Sequence, residues 1–74
     1  MDFDSMVRPP WTWRDVGTAE KRIVALSVFG AVRWYLEEER GGAWSAYPAW
    51  TPDNVTAYDM PPERLSAWLA RVTL

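Results

Sequence analysis

Ile23-Val24-Ala25-Leu26-Ser27-Val28-Phe29-Gly30-Ala31-Val32-Arg33-Trp34-Tyr35-Leu36 is the stretch on which the fold turns. It is apolar almost all round, with Arg33 its one charge before Glu37. Thr18 stands ahead of it as a candidate helix N-cap, with Ala19, Glu20 and Lys21 as a first turn. Gly41-Gly42 closes it with residues suited to a helix C-terminus. Read this way, the spacing predicts one helix over 18–40, about 35 Å long. The apolar run is 14 residues and contains Arg33, too short to cross a bilayer. A helix apolar on every side needs cover on most sides, so self-association is expected. Ser27, Gly30 and Ala31 form a small-residue strip on such a helix. That strip would seat either the chain's own C-terminal helix or a second copy in a homodimer.

The C-terminal segment has the clearer period. Leu65, Trp68, Leu69 and Val72 fall at i, i+3, i+4 and i+7, one face of a helix. With Asp59 as N-cap and Pro61-Pro62 in the first turn, the helix is predicted over about 61–73. Residues 41–60 between the two helices carry Trp44, Tyr47, Trp50 and Tyr58 among Gly, Ser, Pro and Asn. Tyr47-Pro48 and Thr51-Pro52 are extended or turn dipeptides, and Pro52-Asp53-Asn54 reads as a tight turn. Short strands at Ala43–Tyr47 and Val55–Tyr58 would make a small hairpin of this connection. Residues 1–17 read as an extended N-terminal arm. Within it, Trp11–Val16 alternates large apolar with polar residues, as a short strand or an arm laying two indoles on the body. The expected fold class is mainly α, with 18–74 as a single small helical domain and a small α+β fold as the alternative.

Composition narrows the chemistry. The 74 residues include six Trp but no Cys and no His, and the formal charge is −2. Without Cys there is no disulfide and no thiolate ligand, and without His no group titrating near neutrality unaided. A general base would have to be a carboxylate or Lys21 with a strongly shifted pKa, and nothing nominates one. No catalytic residue, no cofactor and no metal site is expected. Asp2 and Asp4 at spacing two, and consecutive Glu37-Glu38-Glu39, lack the ligand pattern of a calcium loop. At a helix C-terminus the Glu run opposes the macrodipole, with Arg33 and Arg40 placed to pair with Glu37. It would be a solvated helix end, or an acidic knob for a basic partner.

Weak acidity without a basic stripe disfavours nucleic acid, and no membrane partner is expected. The start Met1-Asp2-Phe3-Asp4 is acidic where a signal peptide is basic, so a cytoplasmic location is expected. Asn54-Val55-Thr56 fits a glycosylation pattern and is read as chance in that location. Seven Arg against one Lys, with abundant Ala and Pro, suggest a GC-rich genome, bacterial or from a phage of such a host.

The tryptophans divide. Trp34 and Trp68, on helices, are expected to fill the core of a chain with few other means of building one. Trp11, Trp13, Trp44 and Trp50 sit beside Pro, Gly and Ser in loops, and with Arg14 and Tyr47 form the expected partner-binding set, since Trp and Arg are the usual interface anchors. The sequence therefore predicts a small non-enzymatic protein-binding module, an inhibitor or adaptor of a larger bacterial protein, host-cytoplasmic if phage-encoded. The alternatives are a homo-oligomeric assembly protein joined through the long helix, and a binder of carbohydrate or a small ligand at the aromatic loops.

Overall fold

Residues 23–36 follow a period of two, not the helical period. Ile23, Val24, Val28 and Val32 are β-branched, Trp34 and Tyr35 aromatic, and both kinds favour a pleated, half-buried surface. Phe29-Gly30 cuts the run in the middle. Both residues take positive φ, +50° and +79°, the signature of the two-residue type I′ hairpin turn. Gly30 adopts this backbone at no steric cost. The stretch is consequently two strands joined by a tight turn, and its apolar residues need cover on one face only.

The computed structural model describes residues 2–51 and 57–74. Helix α1 covers Phe3–Met6, and strands β1 (Trp11–Asp15), β2 (Ile23–Val28), β3 (Ala31–Glu38), β4 (Trp44–Pro48) and β5 (Ala57–Met60) follow. Helix α2, Pro62–Val72, ends the fold. The strands form one antiparallel sheet in sequence order, each hydrogen-bonded to the next. Register aligns Trp13 with Leu26, Leu26 with Trp34, Val24 with Leu36 and Leu36 with Ala46. One bulge lies between Leu26 and Ser27, opposite Arg33.

These registered residues face the core. Val24, Leu26, Leu36, Trp44, Ala46 and Met60 from the sheet meet Phe3 and Val7 from the N-terminal segment and Leu65, Trp68 and Leu69 from α2. Trp11, Trp13 and Trp34 pack against them while remaining half-buried. Each large side chain so buried contributes about 1.5–3 kcal/mol. Aromatic geometry adds to it: Phe3 lies 5.3 Å from Trp13 and 5.5 Å, edge-on, from Trp44, while Trp34 meets Trp68 at 5.1 Å and 89°. Arg22 closes one end of the core, its guanidinium 5.8 Å from the Phe3 ring centre and 5.5 Å from that of Trp44. On the opposite face of the sheet, Ala25 and Ser45 are buried among longer side chains. Tyr35 and Tyr47, paired across β3 and β4, sit 5.7 Å apart on that face.

Several expectations are corrected here. The chain is mainly β, not mainly α, and among the described residues helix is confined to α1, a short 3-10 turn at Arg40–Gly42 and α2. No helix spans 18–40; that range holds β2, the Phe29-Gly30 turn and β3. Its supposed caps are turn residues, because the same chemistry serves both. The Thr18 hydroxyl accepts from the backbone N–H of Glu20 and Lys21 in the loop between β1 and β2. Gly41 and Gly42, at φ +83° and +82°, sit in the 3-10 turn between β3 and β4. Glu37 pairs not with Arg33 or Arg40 but with Lys21 of the β1–β2 loop, at 2.6 Å.

The segment read as an arm is incorporated into the body. α1 docks through Phe3, β1 forms a sheet edge, and the Trp13 Nε1–H donates to Asp4 Oδ1 at 2.8 Å. Strands do occur within 41–60, at Trp44–Pro48 and Ala57–Met60, and they pair. The turn expected at Pro52-Asp53-Asn54, the strand start at Val55 and the Asn54-Val55-Thr56 pattern lie outside the described residues. α2 starts one residue past Pro61 and has Pro61, not Asp59, at its N-cap. Asp59 lies within β5 at φ +47°, where β5 carries one more residue than β4 opposite it.

Candidate functional site

The meander sorts surface chemistry to two ends of the sheet. At one end lie the β2–β3 turn, the start of β1 (Trp11 pairs with Val28) and the finish of β4 (Pro48 pairs with Trp34). At the other lie the β1–β2 and β3–β4 connections. The first, the turn end, carries Phe29 at 88% exposed and Trp50 at 65%. The segments 8–12, 27–33 and 48–51 meet at this end and carry Arg8 and Arg33. Asp15, Glu20 and Glu37-Glu38-Glu39 all lie toward the other end.

Trp50 is held, not dangling. It follows β4 immediately, and the Ala49 N–H donates to the Arg33 carbonyl at 3.0 Å, extending the ladder past the strand. Its ring stands 6.0 Å from Trp34, which in turn meets the nearly buried Trp68. Three indoles thus run from α2 through the sheet to the surface. Such a base lets an exposed ring make contact without first losing much rotamer freedom. Phe29 projects from the tip of the hairpin beside small neighbours, Gly30 and Ala31.

The expected partner-binding residues are not brought together. Trp44 is 1% exposed and belongs to the core, between Phe3 and the Arg22 guanidinium. Trp11 and Trp13 lean into the core from β1, while Thr12 between them and Arg14 after them are exposed on the alternate face. Tyr47 lies on the face away from the helices, beside Tyr35. Only Trp50 presents a largely free indole. Of the proposed self-association strip, Ser27 is in β2, Gly30 in the turn and Ala31 at the start of β3, so these residues share no helix face. Sequence reasoning missed Phe29. The available signal was a bulky-residue–Gly pair midway between two β-branched runs, a hairpin pattern hidden by reading the run as one helix.

The remaining surface offers little for catalysis. A cleft of about 240 Å³ between α1 and α2 is lined by Ser5, Met6, Arg8, Ser66, Ala70 and Leu74. A depression of about 310 Å³ beside the turn holds Thr12, Arg14, Ser27 and Val32. Neither pairs two titratable groups. Hydrogen bonding to the Glu37 carboxylate raises the pKa of Lys21 above its ordinary value, and burial raises that of Tyr47, so neither becomes a better base near neutrality. Among the described residues, no three side chains of metal-ligating type cluster together, and no helix is long and apolar enough to cross a membrane. No family model, no curated protein and no solved structure matches the chain.

Proposed function

We propose that the chain is a small non-enzymatic protein-binding module whose contact surface is the turn end of its sheet. The observation that carries this reading is Trp50, 65% exposed yet seated on Trp34 and Trp68. An indole left in water forgoes most of its contribution to folding, and rigid exposed Trp is the side chain most often found as an interface anchor. Arg8 and Arg33 at the same end are of the other favoured anchor type. Such a module would serve as an inhibitor or adaptor of a larger protein. Assembly through a long apolar helix is not carried forward, because that helix is absent.

The test is affinity capture from a lysate of the source organism with the intact chain and with Trp50→Ala. Far-UV circular dichroism serves as the control for folding. A protein retained by the intact chain and lost with Trp50→Ala supports the proposal. Capture indifferent to the substitution, or no capture at all, refutes it.

A further inference from the structure

We infer that the Phe29-Gly30 turn is a finger that inserts into a concave apolar pocket with an acidic rim on the partner protein, a reading that rests on the protein-binding function proposed above. Two independent features of Phe29 lead there. The first is its backbone. At φ +50° a bulky side chain occupies the left-handed region, where Gly, Asn and Asp are the residues normally found. A type I′ turn is best served by Asn-Gly, so Phe is a poor choice for closing this hairpin. The second is its exposure. At 88% the ring is in water and joins none of the described aromatic pairs, so the fold recovers nothing for the strained position. Strain held at a surface residue that does not help folding is the pattern of a functional position.

The shape and charge of the turn end specify the occupant. Phe29 projects from a two-residue tip, a convex feature whose complement is a hole. Trp50 lies at the same end of the sheet and supplies a second, broader contact. Arg33, exposed on β3 just past the turn, and Arg14, in the depression that Gly30 also lines, place positive charge beside the hairpin, which calls for carboxylates on the rim of the pocket. A lipid surface fits less well. Stable interfacial binding wants a broad apolar face or a polybasic cluster, whereas this chain carries net charge −2 and no run of basic residues longer than Lys21-Arg22.

The experiment places the photo-cross-linker p-benzoylphenylalanine in the full chain at position 29, at position 50 or, as a control on the opposite end, at position 20. After irradiation in cells of the source organism, adducts are identified by mass spectrometry. The affinity of that purified protein is then measured for the intact chain, Phe29→Asn and Phe29→Leu. The inference expects the same adduct from 29 and 50 and none from 20. It expects Phe29→Asn to bind about 30-fold more weakly with an unchanged or raised melting temperature, and Phe29→Leu to recover most of the affinity. An adduct from 50 without one from 29, or full affinity in Phe29→Asn, overturns the finger and leaves the binding module standing. Absence of adducts from both positions removes both readings. Phe29-dependent retention on phosphatidylglycerol vesicles, without a protein adduct, assigns the turn to a lipid surface and overturns the inference.

Discussion

Replacing Trp44 and Trp50 separately by Ala should divide two indoles that look alike in the sequence. Trp44 is 1% exposed, packed edge-on to Phe3 and capped by the Arg22 guanidinium. Burial of an indole removes roughly 200–250 Å² from water, worth about 5–6 kcal/mol as an upper figure at 25 cal/mol per Å². Measured truncations of buried aromatics to Ala cost about 3–5 kcal/mol, because the cavity left behind collapses in part. A 74-residue chain has a total stability of about 4–11 kcal/mol at 0.05–0.15 kcal/mol per residue. Trp44→Ala therefore removes about a quarter of the stability at least, and at the lower end of that range most or all of it. Trp50, 65% exposed, loses far less contact, and Trp34 beneath it can relax into the space, so Trp50→Ala should cost about 1 kcal/mol. Guanidinium unfolding followed by far-UV circular dichroism reads both without relying on indole emission, with comparable m-values confirming that the same transition is measured. A loss under about 1.5 kcal/mol for Trp44→Ala, or one larger for Trp50→Ala than for Trp44→Ala, would refute this division of core from surface.

Gly17→Ala should destabilise by about 2–3 kcal/mol, because its Cβ would stand 2.2 Å from the Lys21 carbonyl oxygen and 2.6 Å from the Ile23 nitrogen. Those are backbone atoms that cannot swing aside, and the Lys21 carbonyl also accepts from the Thr18 N–H; a midpoint within error of the parent would show that the β1–β2 loop is not closed as described. Stability should fall on the alkaline side. Lys21 and Tyr47 both bind their protons more tightly when folded than at their ordinary values of 10.5 and 10.0, Lys21 through Glu37 and Tyr47 through burial. The stabilisation they confer is complete below those values and is lost as pH rises through the folded ones. Melting temperature recorded from pH 8 to 11.5 should decline above about pH 10, less steeply in Glu37→Gln, and a flat or rising profile would contradict the assignment.

Much of the local chemistry was legible. Leu65, Trp68, Leu69 and Val72 announced α2, because an amphipathic helix on a single core face writes its period directly into the sequence. Thr18 and Gly41-Gly42 marked real chain reversals, although as hairpin loops and not helix caps. The reversal residues are shared by both readings since each is chosen for its local backbone conformation. The error at 23–36 came from treating apolarity on all sides as a helical property. In β2 and β3 it arises because one face meets the core while the other is sheltered by long neighbours, as at Ala25.

Tertiary structure decided which aromatic residues are available for contact. Trp44 and Trp50 share a Pro- and Gly-rich neighbourhood, and no local signal separates them. Register does: Trp44 pairs with Met60 and points beneath Phe3, whereas Trp50 lies past the end of β4 and stays largely exposed. The same holds for bringing Phe29 to the end of the molecule that carries Trp50, since 20 residues of chain separate them and only the antiparallel return of β3 into β4 closes that distance. What the sequence determined by itself was its inventory: no thiol or imidazole chemistry, a surplus of indoles and a C-terminal amphipathic helix. Which face each side chain presents depends on strand pairing, and a period of two reverses every assignment with a slip of one residue.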